Sequence, residues 1–259
     1  VVGSEIMHLV PNAIQFTTLG SDDLVRLYAY PAHPDSPWIR VNFIASIDGA
    51  TTIDGRSGAL GGPADRTVFS TLRDLADVVL VGGGTARAEN YGGARTDAHR
   101  RIRLHHHGLG GDPAGTPPPI AVVTARADID PAGRLLTDTD RPPLILTTTA
   151  ADAGRKRALS AAGAEVIEAG ETTVTPAAIS AALAERGMLR VLFEGGPSLF
   201  GDLIAAGLVD ELCLTVSPML VGGSSTRIAM APTASPTPMV MRHALLDDDG
   251  SVLTRWERG

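Results

Sequence analysis

Two short apolar runs, far apart in the chain, each end in a glycine turn that leads into a segment able to form a helix. The first is Val78-Val79-Leu80-Val81 followed by Gly82-Gly83-Gly84-Thr85; the second is Val191-Leu192-Phe193-Glu194 followed by Gly195-Gly196-Pro197-Ser198. Bare backbone N–H groups at a strand-to-helix turn form an anion cradle, and glycine lets a phosphate come close. Two such cradles on neighbouring parallel strands suit a dinucleotide with its pyrophosphate between them. Neither turn has the G-x-G-x-x-G spacing of the Rossmann fingerprint, and either one alone can be a plain structural turn.

The segments around these turns alternate in the same way. Strands are expected at 38–46, 77–81, 120–124, 144–148, 165–168, 190–194 and 211–217, and helices at 63–76, 85–90, 150–162, 176–186 and 198–206. The helix at 63–76 opens on Pro63 and sets Val68, Phe69, Leu72, Leu75 and Ala76 at three-and-four spacing. Buried strands alternating with helices imply a mostly parallel sheet covered on both faces, with ligands at the carboxyl ends of its strands. Residues 92–119, rich in glycine, proline and charge, read as a long surface excursion. After Pro218 the pattern changes to loops and antiparallel strands at 239–245 and 252–256, joined by the hairpin turn Asp247-Asp248-Asp249-Gly250.

A formal net charge of −7 with no offsetting basic stripe argues against nucleic acid and anionic membranes as partners. No apolar run approaches the roughly 20 residues of a membrane span, and residues 1–20 lack a basic start followed by an apolar block, so a cytoplasmic protein is expected. The single cysteine, Cys213, lies in an apolar run, which rules out an intrachain disulfide or thiolate metal cluster and reads as a buried structural thiol. The single lysine, Lys156, sits in a polar helical stretch and reads as a solvated residue. The run His105-His106-His107 carries no metal-ligand spacing, and no metal is expected there.

At the strand ends, Thr124 and Arg126 stand where an arginine would suit the 2′-phosphate of NADP, the alternative being a solvated loop arginine. Residues 48–62 hold glycines at 49, 55, 58, 61 and 62 and two Asp-Gly turns, a composition for a mobile loop that closes over a site.

The stretch Val41-Asn42-Phe43-Ile44-Ala45-Ser46-Ile47-Asp48-Gly49 resembles the opening of the reductase domain of bifunctional riboflavin-biosynthesis proteins, the RibD C-terminal family. Val81–Thr85 resembles that family's second motif. Leu192–Ser198, Gly207–Glu211 and Pro218–Gly223 resemble its third region, with the order kept over about residues 38–225. The resemblance implies a dihydrofolate-reductase-like α/β/α fold, an NADPH cofactor and a homodimer. It also implies reduction of the ribosyl side chain of a phosphorylated aminopyrimidine, 5-amino-6-(5-phosphoribosylamino)uracil, to ribityl. A single reductase domain is expected over residues 1–259, since the zinc signature of the usual deaminase partner cannot be built with one cysteine. The chain departs from the family at Asn42, where bacterial members have lysine, and at Glu89-Asn90-Tyr91, which replaces Asp-Asp-Pro. The arginine for the substrate phosphate has no in-register match, Arg95 being nearest.

Pro63-Ala64-Asp65 resembles instead the helix start of dihydrofolate reductases, whose acid grips the amino-amidine edge of a pterin. Asp65 and Phe69 stand four apart, on one helix face, although Asp65 can equally complement the helix N-terminus and Phe69 be plain core. We therefore expect Asn42, Ala45, Asp65, Phe69 and Arg95 toward the substrate, with Asp48 and Asp65 as catalytic acids. Gly82, Gly83, Gly84, Thr85, Thr124, Arg126, Glu194, Gly195, Gly196, Ser198 and Leu199 are expected around the cofactor. Dihydrofolate reduction is the competing activity, and a catalytically silent nucleotide-binding protein the non-enzymatic one.

Overall fold

The fold is set by one insertion: strand β7 (Arg190–Phe193) threads between β2 (Trp38–Ser46) and β3 (Val78–Gly82), parallel to both. The computed structural model describes residues 13–259; most of the stretch read for a secretory signal lies outside them. The remaining strands are β1 (Ala13–Gln15), β4 (Ile120–Val123), β5 (Leu144–Thr147), β6 (Glu165–Glu168), β8 (Glu211–Ser217), β9 (Met239–Leu246) and β10 (Val252–Arg258). They form one 10-stranded sheet in the order β1-β9-β10-β8-β2-β7-β3-β4-β5-β6. From β8 to β6 all neighbours are parallel; β10 pairs antiparallel with both β8 and β9.

Helices cover both faces. They are α1 (Ser21–Leu27), α2 (Pro63–Leu75), α3 (Gly83–Ala88), α4 (Ala98–His106), α5 (Arg134–Thr137), α6 (Ala153–Ala161), α7 (Pro176–Ala184) and α8 (Pro197–Ala205). Alternation within each strand sorts the core. Val79 and Val81 of β3 pack with Val68 and Leu72 of α2, Leu104 of α4 and Leu159 of α6. Val78 and Leu80 face the other way, toward Ile179 and Leu183 of α7 and Phe200 and Leu203 of α8. The expected three-layer α/β/α architecture with antiparallel C-terminal strands is what the chain adopts. Asp247 and Gly250 close the hairpin between β9 and β10, with Gly250 at φ +89°.

Where β2, β8 and β10 meet, the core is ionic. Glu211, fully buried, accepts from Arg40 at 2.6 and 3.0 Å and from Arg255 at 2.9 and 3.1 Å. The Arg40 guanidinium also stacks on the Tyr30 ring, 3.8 Å from its centroid. Burial alone would raise the Glu211 pKa, but the two arginines outweigh it and hold the carboxylate below its usual range. Cys213 is buried beside this cluster, as its apolar surroundings predict.

Two regions differ from the sequence reading. The segment 92–119 is not a surface excursion throughout, because it contains α4. That helix lacks an apolar stripe: Asp97 caps it by accepting from the Arg100 amide at 2.9 Å. Its inward residue, Arg101, is 2% exposed and donates to the carbonyls of Arg73, Asp74, Ala76 and Thr116. His105 and His106 therefore lie on the last turn of a helix and not in a loop. The second region is α3, which begins at Gly83, inside the glycine turn, and not at Thr85.

Candidate active site

The two glycine turns are in direct contact. The Gly82 amide donates to the Gly195 carbonyl at 2.7 Å, and a Cβ on Gly82 would come within 3.3 Å of the Gly196 nitrogen. Gly195 holds φ +128°, a conformation side-chain-bearing residues rarely adopt. A Cβ on Gly196 would fall 2.6 Å from the Thr85 hydroxyl, whereas one on Gly84 would meet open space. The order of strand progression reverses across this pair: β3 to β6 run to one side, and β2 and β8 lie on the other. It is the switch point at which open parallel sheets bind ligands.

A cavity of about 560 Å³ opens against the turns, lined by Thr85, Gly195 and Gly196 on one side and by α2 on the other. Helix α2 turns Asp65 and Phe69 into it, one helical turn apart, with Arg73 a turn further on. The Arg73 guanidinium stacks over Phe69, 4.3 Å from the ring centroid. It also donates to both oxygens of Glu194, at 2.8 and 2.7 Å, and the Tyr91 hydroxyl adds a third bond at 2.8 Å. Both Glu194 oxygens thus hold protein donors, and Glu194 ties β7 to α2. Local sequence gives no sign of this pairing between residues 121 positions apart.

Asp65 is different. Burial raises its pKa, while a hydrogen bond from Thr215 and the nearby Arg66 pull the other way. Among the described residues no arginine, lysine or histidine forms an ion pair with it. Gly61 stands over its carboxylate, where a Cβ would fall 2.7 Å from Oδ2. Asn42, Phe43 and Ile44 of β2 complete that wall.

Asp48 and Ala45 are placed elsewhere. The Asp48 carboxylate is held by the Ser46 hydroxyl and by the amides of Gly222 (2.7 Å) and Val221, which lower its pKa to about 2. It lies outside the cavity lining, where the catalytic expectation did not put it, and joins the β2 turn to the loop after β8. Ala45 is buried and is not part of the lining either.

The loop 48–62 spans the cavity, and both its arms are pinned. The Thr51 and Thr52 amides donate to the Ser225 hydroxyl at 3.0 and 3.2 Å, and Ser57 donates through amide and hydroxyl to Glu89 at 2.9 and 3.0 Å. Its tip is the tight turn Asp54-Gly55, both residues at positive φ. At the mouth lie Arg66, Arg95 and Arg134. Arg95 pairs with Asp138 and, at 3.3 Å, Asp140, and Arg134 pairs with Asp138 at 2.7 Å.

Beyond the glycine turns, a second hollow of about 420 Å³ is lined by Ala125, Arg126, Thr148 and, unforeseen from sequence, Arg155 at the start of α6. The Arg126 side chain is 79% exposed. Thr124 is buried beneath it and accepts from the Asp128 amide at 3.3 Å. Leu199 packs under Gly82, and Ser198 is exposed on the first turn of α8.

Known proteins match this arrangement. A reductase from Archaeoglobus fulgidus, 2,5-diamino-6-ribosylamino-4(3H)-pyrimidinone 5′-phosphate reductase, is 29% identical over 72% of this chain and 83% of its own length. The riboflavin biosynthesis protein RibD of Bacillus amyloliquefaciens is 27% identical over 79% of this chain, which spans only 52% of that relative. The crystal structure of a pyrimidine reductase-like protein from Corynebacterium diphtheriae superimposes with a TM-score of 0.78 at 25% identity, covering 95% of this chain and 99% of the other. No helix among the described residues is long and apolar enough to cross a membrane. The RibD C-terminal domain model matches residues 37–252, which include both glycine turns and every cavity wall described above, and the chain belongs to that family.

Proposed function

We propose that the chain is an NADPH-dependent reductase that converts the ribosyl side chain of a phosphorylated aminopyrimidine to ribityl, a step of riboflavin biosynthesis. The observation that carries this reading is the opening of one cavity onto both the interlocked glycine turns and the Asp65–Phe69 face of α2. The turns fit a dinucleotide: bare backbone, room beyond Gly84, and a close approach at Gly196 that no larger residue allows. Gly82–Thr85, Gly195, Gly196, Ser198 and Leu199 would hold its pyrophosphate region. Thr124, Arg126 and Arg155 would hold the adenosine end, where two cations suit a 2′-phosphate. When bound, NADPH supplies the hydride. The protein's own task is then to position the substrate and exclude water.

Asn42, Asp65 and Phe69 would face the heterocycle, and Arg66, Arg95 and Arg134 at the mouth would meet the substrate phosphate. Arg95 and Arg134 share Asp138, so an entering phosphate competes with that carboxylate for both cations. The pinned loop 48–62 would roof the complex. We include a homodimer in this reading. Exposed Ile47 and Leu220, on loops joined by the Ile47 amide and the Met219 carbonyl, are apolar surface that a second copy would cover. Phosphorylated substrates and NADPH are held inside cells, which supports the cytoplasmic location included in this reading.

The test is loss of reduced-nicotinamide absorbance when purified protein, NADPH and a phosphoribosylaminopyrimidine are mixed. Tight NADPH binding without oxidation by any such substrate would leave the silent nucleotide-binding reading in its place.

A further inference from the structure

We propose that Asp65 selects the ring of the substrate, so that the site takes a 2-amino-4-oxopyrimidine edge in preference to the 2,4-dioxo edge of a uracil. The inference rests on the reductase reading and specifies what that site accepts.

Three carboxylates line the cavity, and two are engaged by protein donors, Glu89 through one oxygen only. Glu194 is bound by Arg73 and Tyr91, and Glu89 accepts from Ser57. Asp65 has only the Thr215 hydroxyl and no ion-pair partner among the described residues. It stands beside the Phe69 ring, on the same helix face, with Gly61 leaving its Oδ2 uncrowded. An ionised carboxylate is an acceptor with two parallel oxygens, and half-burial deprives it of water to fill them.

The two candidate rings answer that demand differently. A 2-amino-4-oxo ring presents N3–H and the 2-amino N–H side by side in its plane, a donor pair that matches both oxygens at once. On the edge remote from the sugar a uracil ring presents N3–H flanked by two carbonyls, its other donor pair, N1–H and the 6-N–H, lying beside the ribosyl chain. It satisfies one carboxylate oxygen and turns a carbonyl lone pair toward the other. Sites built to hydrogen-bond a polar group discriminate strongly against analogues that leave it unpaired. The same donor pair occurs in dihydropterins, so dihydrofolate shares the edge, and Phe69 offers either ring a flat apolar face.

An asparagine at position 65 keeps the shape but offers one acceptor and one donor, the complement of the uracil edge. The test is equilibrium binding of 2,5-diamino-6-ribosylamino-4(3H)-pyrimidinone 5′-phosphate, its 2-oxo counterpart and dihydrofolate to wild type and Asp65→Asn, with NADPH oxidation followed in parallel. The wild type should bind the diamino ring about 100-fold more tightly than the uracil, and Asp65→Asn should reverse the order. Circular dichroism of the variant separates this from misfolding, since a merely structural Asp65 would weaken both rings alike. Equal affinities in the wild type, a uracil preference, or an unchanged order in Asp65→Asn would overturn the proposal, even with reductase activity intact. A diamino preference that Asp65→Asn reverses supports it even if neither phosphorylated ring oxidises NADPH, an outcome that removes only the pyrimidine reductase reading. Oxidation by dihydrofolate alone would also support the edge, with a pterin as its source.

Discussion

The Gly82 amide and the Gly195 carbonyl are joined by a 2.7 Å hydrogen bond, so two turns separated by nearly half the described chain form one piece of structure. Gly196 is the tightest point of that piece, since a Cβ there would lie 2.6 Å from the Thr85 hydroxyl. Gly196→Ala is expected to displace Thr85 and weaken NADPH binding at least about tenfold, equivalent to about 1.4 kcal/mol. Quenching or enhancement of nicotinamide fluorescence on titration measures this. Gly84→Ala, which meets open space in the free protein, serves as the comparison: a larger loss there than at Gly196 would show the cofactor lying directly on Gly84.

At the other end of the proposed cofactor site, Arg126→Ala and Arg155→Ala are expected to reduce the preference for NADPH over NADH. Each should lose about 1.5–3 kcal/mol of NADPH binding, the usual worth of a hydrogen bond to a charged group, with NADH affinity nearly unchanged. The ratio of kcat/KM for the two cofactors is the readout. Equal losses for both cofactors would remove the 2′-phosphate from this hollow.

Much of this site was legible because its signals are local. A strand run, a glycine turn and a helix start are consecutive in sequence, and both turns were readable for that reason. Asp65 and Phe69 were readable because four residues make one helical turn. What was not legible is long-range or inverted in chemistry. Glu194 reads in sequence as a cofactor contact, and nothing local announces that Arg73 and Tyr91 hold its carboxylate across the fold. Asp48 reads in sequence as a catalytic acid, and the bonds to its carboxylate from Val221 and Gly222 come from a loop far along the chain. Helix α4 is hard to read because an arginine, not an apolar side chain, fills one of its two buried positions, the other being Leu104.

The ionic core makes a prediction about stability. Glu211→Gln leaves Arg40 buried without a carboxylate and Arg255 with Glu257 alone, and breaking a buried pair in this way typically loses about 3–5 kcal/mol. The expected result is a clearly lower melting temperature and denaturant midpoint. A change within experimental error would mean that water or a neighbouring carboxylate takes over the two guanidinium groups.

His243 gives stability a pH dependence. Burial first, and then Arg255, lower its pKa from 6.5 to about 4. Between those values the unfolded chain binds the proton and the folded one does not, so this contribution rises with pH. It is fully present above pH 6.5 and is lost as pH falls toward 4, by on the order of 3 kcal/mol over the window. His243→Phe, which keeps a ring against Tyr28, should flatten the difference in urea midpoint between pH 7 and pH 5. An identical slope in wild type and variant would assign it to other groups.

The last turn of α2 has a second tether. Arg101 grips the carbonyls of Arg73, Asp74 and Ala76 from outside the sheet. About three helical turns further toward the N-terminus, some 15 Å at 1.5 Å per residue, the same rigid rod carries Asp65 into the cavity. In the proposed reading, the segment 92–119 is thereby a fulcrum for substrate choice. Sequence drift in a stretch that reads as expendable surface would tilt the rod and retune the ring-reading carboxylate without touching a single residue of the pocket wall.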